Sequence, residues 1–227
     1  MLVIYRFLIN LIIILSPIIL IIRFLKKKED PIRFKEKFGF FSKKRKNGKL
    51  IWFHGASVGE LQSIIPLIEK LEKKKSIRQI LITSNTLSSS KIIKNNNFRK
   101  VTHQFFPIDN NYLIKKFLNF WKPSKAFFVD SEFWPNTIFE LKKKNIPIVL
   151  INGRITKQTF YRWKRISNFS SKIFNNFDLC LSSSMESYKY LKKLKFVNVK
   201  FIGNLKYSQA ESENLKINQN LKNFLYN

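Results

Sequence analysis

Apolar residues follow two rhythms along the chain. The first is a nearly unbroken run at residues 7–22, FLINLIIILSPIILII, interrupted only by Asn10, Ser16 and Pro17. With Leu2–Tyr5 and Phe24–Leu25 added, it approaches the roughly 20 residues needed to cross a bilayer. Arg6 and Arg23 flank the run and suit the two interfaces, where long cationic side chains snorkel toward water. No small-x-small cleavage site follows, so the run reads as a retained anchor, spanning or lying in the interface. The cationic excess lies on its C-terminal side, at Arg23, Lys26, Lys27 and Lys28, which by the positive-inside tendency keeps the rest of the chain in the cytoplasm.

The second rhythm starts at residue 49. Short apolar runs at 49–54, 79–83, 103–106, 126–130, 147–151, 178–182 and 199–202 alternate with helix-like stretches at 60–74, 86–95, 111–121, 135–145, 160–176 and 184–194. Strand runs of this length separated by helices predict βαβ units and a Rossmann-like parallel sheet covered on both faces. The fold class is therefore α/β. Three regions follow: an anchor helix over 1–28, an α/β domain over 29–208, and a polar linker or terminal helix over 209–227.

Charge sharpens the picture only in part. The net charge of +29 favours polyanionic neighbours: nucleic acid, acidic lipid head groups or phosphorylated substrates. Lysine, isoleucine and asparagine are abundant throughout, so part of that charge is compositional background. The basic residues are spread over the whole chain behind an apolar leader, which fits a groove-tracking nucleic-acid binder poorly. Cys180 is the only cysteine, which excludes an internal disulfide and suits a reducing compartment. The 2 histidines have no metal-site spacing, so neither a metal nor another cofactor is expected.

In parallel sheets ligands gather beyond the carboxyl ends of the strands, so the residues following each strand carry the candidate chemistry. HGASVGE (54–60) places Gly55 and Gly59 where tight turns leave helix-start N–H groups open to an anionic or hydroxylated ligand. Glu60 then falls in the first helical turn. There it either complements the helix dipole or serves as a general base toward a sugar hydroxyl. The segment is neither a Walker loop nor a G-x-G-x-x-G turn. FFVDSEFWPN (127–136) carries Asp130 and Glu132, on one side if the strand continues, then Pro135 at a helix start. Two acids close together raise each other's proton affinity, an ingredient of acid/base sites. The structural alternative has Asp130 or Ser131 capping that helix while Phe133 and Trp134 pack in the core. Arg154 in INGRIT is either a bidentate anion ligand or simply solvated. Lys206 in FIGNLKYS is one more lysine among many.

In order, RFKEKFGF, IWFHGASVGE, FFPID, FFVDSEFWPN, IPIVLINGRIT and GNLKYS closely resemble the N-terminal half of the 3-deoxy-D-manno-octulosonic acid (Kdo) transferases, membrane-associated glycosyltransferases of lipopolysaccharide assembly. The resemblance runs from the leader to about residue 208, and its S-V-G-E and E-x-W-P-N elements are specific. It implies the first domain of a GT-B architecture on the cytoplasmic face of the inner membrane, resting on membrane lipid. The acceptor would be the lipid A precursor (lipid IVA) and the donor CMP-Kdo. It further implies that Glu60 is the general base of an inverting transfer and that Lys206 stabilises charge on the donor. Ser57, Gly59 and Arg154 would hold acceptor phosphates. Asp130 stands where the family is expected to carry glutamate, and Glu132 is placed to share that role. The family has a second, donor-binding domain, and this sequence stops soon after Lys206. The expectation is a chain without that half, completed by a separate C-terminal partner chain, or a catalytically incompetent membrane-tethered module that binds anionic lipid. Nucleic acid is not an expected partner.

Overall fold

The computed structural model describes residues 1–205. Helix α1 (Leu2–Leu25) is followed by a 3-10 helix (Arg33–Phe38) and then by the alternating body. Its strands are β1 (Leu50–His54), β2 (Gln79–Ser84), β3 (Val101–Phe105), β4 (Lys125–Val129), β5 (Ile148–Gly153), β6 (Leu179–Ser182) and β7 (Val199–Phe201). Its helices are α2 (Val58–Glu72), α3 (Leu87–Asn95), α4 (Asn111–Trp121), α5 (Pro135–Lys143), α6 (Lys157–Arg165), α7 (Ser167–Phe174) and α8 (Met185–Lys193). All strand pairs are parallel, in the order β3-β2-β1-β4-β5-β6-β7.

Period-2 alternation splits each central strand between two apolar layers. In β1, Leu50 and Trp52 face the layer of α4, α5, α7 and α8, while Ile51 and Phe53 face that of α2 and α3. Both faces are covered, so these strands read as continuous apolar runs rather than alternating ones. Aromatic packing dominates the first layer. Trp52 lies 5.0 Å from Phe117 and 5.5 Å from Phe128 between ring centroids.

Two expectations need correction. The helix predicted over 160–176 is two helices, α6 and α7, divided at Ile166, whose φ of −115° and ψ of 42° leave the helical region. The break lets Phe160 and Phe169 both reach the core. The strand predicted over 103–106 is Val101–Phe105, because half-buried Val101 and Thr102 begin an edge strand whose apolar signal is diluted there. That edge is sealed by the 3-10 helix. Buried Glu36 accepts the Phe105 N–H at 2.7 Å and is gripped by Arg33 at 2.9 and 3.0 Å, while Arg33 also donates to the His103 carbonyl at 2.9 Å. Covering an edge in this way removes a template for unwanted strand pairing.

Helix α1 runs along the body and is fastened near both ends. Tyr5 donates its hydroxyl to Asp109 at 2.7 Å, Arg6 donates to Asn136 at 2.9 Å, and Asn10 accepts from Asn110 at 2.8 Å. At the other end Arg23 and Lys37 share buried Glu29, at 2.7 and 2.6 Å, and Phe24 meets Phe34 edge-on at 5.3 Å. The two arginines expected to snorkel outward are therefore bonded to protein. Midway, Pro17 lacks the N–H that would reach the Ile13 carbonyl, and the Ser16 hydroxyl supplies a donor there instead, at 2.6 Å. Ile9 and Ser16 are buried against the body, whereas Val3, Phe7, Ile14, Ile18 and Ile21 are exposed.

Candidate active site

Glu60 is built by a helix start. Ser57 is the N-cap of α2, its side chain accepting from the Glu60 N–H, and Val58 and Gly59 occupy the first turn. Their N–H groups are among those a helix cannot satisfy internally. The Glu60 carboxylate folds back over the turn. Oε2 accepts the Ala56 N–H at 2.8 Å and Oε1 accepts the Ser57 hydroxyl at 2.7 Å. The arrangement resembles a capping box displaced by one residue, with the N–H before the N-cap bonded in place of the N-cap's own, so Glu60 has a structural part in starting α2. Yet the group is only half-buried, and among the described residues no lysine or arginine pairs with it. Burial raises its pKa above the ordinary carboxylate value; the Ser57 hydroxyl opposes this, and the negative charges of Glu132 and Asp130 add to it. Three acids from two strand ends thus share one field.

Gly55 makes that placement possible. A Cβ at this position would lie 3.0 Å from Leu61 Cδ2 and 3.3 Å from Glu60 Cβ. Any larger residue would press on the first turn of α2.

Strand β4 stops at Val129, and Asp130 turns into the left-handed region at φ 65°, which Asp tolerates better than most residues. Alternation therefore does not place Asp130 and Glu132 on a common side, as an extended strand would. Both charges nonetheless act on Glu60. The Asp130 carbonyl accepts the Arg154 N–H at 3.3 Å, and the Ser131 hydroxyl donates to the Arg154 carbonyl. Arg154 is thereby fixed by its backbone while its side chain is exposed. Neither Asp130 nor Ser131 caps α5. That task falls to Asp109, beyond β3, whose carboxylate accepts the N–H groups of Asn136 and Thr137 at 2.9 Å each and the Thr137 hydroxyl at 2.5 Å.

Glu132 has a partner that sequence reasoning missed. His54, fully buried, places Nε2 3.2 Å from Glu132 Oε2, and Nδ1 lies 2.9 Å from Thr83 Oγ1. Trp134 Nε1 donates to the same Glu132 oxygen at 2.7 Å. Trp52 Nε1 donates to Thr83 Oγ1 at 2.9 Å. Trp134 Nε1 also lies 3.1 Å from His54 Nε2 and Thr83 Oγ1 3.4 Å from the Phe53 carbonyl, so the ring is held between Thr83 on one nitrogen and Glu132 with Trp134 on the other. In sequence His54 shows only as a polar residue ending an apolar strand; its register with Thr83 comes from the fold. Ser57, Gly59, Glu60, Asp130, Glu132 and Arg154 thus lie at the ends of β1, β4 and β5, where a parallel sheet presents its ligands. Lys206 lies outside the described residues.

The family profile described as 3-deoxy-D-manno-octulosonic-acid transferase (kdotransferase) matches residues 32–209. The 3-deoxy-D-manno-octulosonic acid transferase of Rickettsia bellii is 35% identical over 96% of this chain and 53% of its own. The Haemophilus influenzae transferase of the same name is 28% identical over 91% of this chain and 50% of its own. The chain therefore spans about half the length of these relatives. Among solved structures, UDP-GlcNAc 2-epimerase from Neisseria meningitidis superposes with a TM-score of 0.52 at 16% identity, over 77% of this chain and 52% of that one. MnaA of S. aureus, solved with UDP, gives a TM-score of 0.53 at 12% identity over 77% and 51%. At such identities the likeness is one of fold, a Rossmann-like half of a GT-B-like pair. With the profile spanning most of the sequence and relatives of one description aligned along nearly all of it, the chain belongs to the 3-deoxy-D-manno-octulosonic-acid transferase family.

Proposed function

We propose that this chain is the acceptor-binding half of an inverting glycosyltransferase that moves Kdo from CMP-Kdo to the lipid A precursor in lipopolysaccharide synthesis. Glu60 takes the proton of the acceptor glucosamine 6-hydroxyl as that oxygen bonds to the anomeric carbon of Kdo. The bond from that carbon to the CMP phosphate breaks, with the electron pair leaving on CMP. No covalent enzyme intermediate is required. The observation supporting this reading is the raised pKa of half-buried Glu60 beside Glu132 and Asp130 at the sheet's mouth. A base whose pKa rises toward the working pH gains proton-transfer driving force.

In this reading the open N–H groups of Val58 and Gly59, the Ser57 hydroxyl and the exposed Arg154 hold acceptor phosphate. His54 and Trp134 are positioning residues that orient Glu132. Lys206, with the donor-binding half, stabilises the departing phosphate. Helix α1, fastened at both ends, lies in the cytoplasmic interface of the inner membrane rather than crossing it.

The test is turnover. The full chain, supplied with a donor-binding domain as a separate polypeptide, is mixed with tetraacylated lipid A precursor and CMP-Kdo, and the Kdo-lipid formed is measured. Glu60→Gln is expected to lower the rate about 10²–10⁴-fold. A variant as active as its parent would remove the base assignment. A tethered module that only binds anionic lipid would retain acceptor equally well with either residue and release no CMP.

A further inference from the structure

Between α1 and the body lies a cavity of about 300 Å³. One wall is the helix, through Ile9, Ile12, Ser16 and Ile19; the other includes Pro107, Ile108 and Trp134. It exists because the helix is fastened by polar contacts near its ends, at Tyr5, Arg6 and Asn10 and again at Arg23, while the stretch between is apolar. An apolar groove of this size leaves its lining in contact with water unless something apolar fills it.

We propose that this slot takes one acyl chain of the acceptor glycolipid. Three observations select that occupant. First, Ile12 and Ile19 line the slot and are also 43% and 41% exposed, so its mouth opens along the exposed face of α1. That face carries no charged residue between Arg6 and Arg23, which suits hydrocarbon and not a soluble protein partner. Second, Trp134 belongs to both places: it lines the slot, and its indole N–H holds the Glu132 carboxylate at 2.7 Å. A lipid whose sugar sits at the carboxylates therefore has its chain delivered to the slot, whereas a bulk phospholipid has no head group anchored there. Third, the charged residues lining the slot include Arg23, Lys37 and Glu29, two cations on one carboxylate, which leaves Ile9, Ile12, Ile19, Pro107 and Ile108 as the stretch suited to hydrocarbon.

The inference rests on the proposed function in placing the acceptor's sugar at Glu60 and Glu132. Its test is read without turnover. The full chain is reconstituted in phosphatidylcholine vesicles holding a bisphosphorylated glucosamine-disaccharide lipid with a diazirine near the end of one acyl chain. After illumination, adducts are mapped by mass spectrometry. Adducts are expected on Ser16, Pro107 and Ile108. Ser16→Phe, which fills the slot, should reduce them about tenfold by excluding the chain from its contacts. Ile19→Ala, which widens the slot, should retain them, and labelling of outward Ile14 and Ile18 should be equal in all three proteins. The proposal is overturned if adducts fall only on outward residues, if a diazirine phosphatidylcholine labels the slot equally, or if Ser16→Phe changes nothing. Slot labelling without sugar transfer would sink the catalytic reading alone. Sugar transfer with outward labelling alone would sink the slot alone.

Discussion

Glu60 does two things that pull against each other. Its carboxylate accepts the Ala56 N–H and the Ser57 hydroxyl, which stabilises the start of α2, yet it is desolvated beside Glu132 and Asp130, which disfavours its charge. Because the folded-state pKa is raised above the unfolded value, the stability this group contributes is complete below the ordinary glutamate range and is lost as pH rises through the folded pKa. At neutral pH an amide at this position keeps an oxygen for the Ala56 N–H without the repulsion. Glu60→Gln should therefore unfold no more easily than the parent while losing transfer activity, a separation readable by thermal denaturation beside the rate. The same field fixes a pH dependence. Transfer should rise with pH along a limb set by Glu60 and displaced upward from that of an ordinary glutamate. Glu132→Gln, by removing the neighbouring charge that acts more strongly on Glu60, should move that limb to lower pH. A limb that stays put in the variant's pH–rate profile would show that Glu60 does not govern it.

At the scale of elements, the organising group is Asp109. It accepts donors from α1 and from α5, so one carboxylate ties the leader to the helix that follows Glu132. Burial pushes its pKa up to about 6, against the hydrogen bonds from Thr137, Tyr5 and Asn136. The sign follows: its contribution to stability is present below about pH 4 and is lost as pH rises through about 6. Denaturant titrations between these values should show the parent losing on the order of 2–3 kcal/mol, a loss that Asp109→Asn lacks. An equal slope in both proteins would contradict the assignment. This element level also shows where sequence was informative. The seven strands and the start of α4 are legible because apolar runs and turn residues recur at short range. Asp109, Glu36 and Glu29 are not legible as buried, since an acid's burial depends on donors that arrive from 69 residues away in the case of the Phe105 N–H. The break at Ile166 was hidden because apolar spacing continues across it. His54 was hidden because its partners come from two other segments, Thr83 from β2 and Glu132 with Trp134 from the turn after β4.

For the whole molecule, two attractions to lipid are separable. The apolar face of α1 is indifferent to salt, while the charge of +29 is not. Each cation near an anionic surface adds about 1 kcal/mol. Sedimentation with vesicles should show binding to phosphatidylcholine that holds from low to high salt. Binding to vesicles with anionic lipid should be tighter at low salt and fall to the neutral level at high salt. Loss of all binding in salt would mean that α1 does not engage hydrocarbon.

The fastening of Tyr5 and Arg6 onto Asp109 and Asn136 has a further consequence for how such a molecule is handled. Trimming the leader to gain a freely soluble sample would strip two donors from the buried entrance of α5, one residue past the indole that steadies Glu132. The greasy segment is then part of what holds α5 in place, and a clipped preparation that melts early would be reporting on the cut.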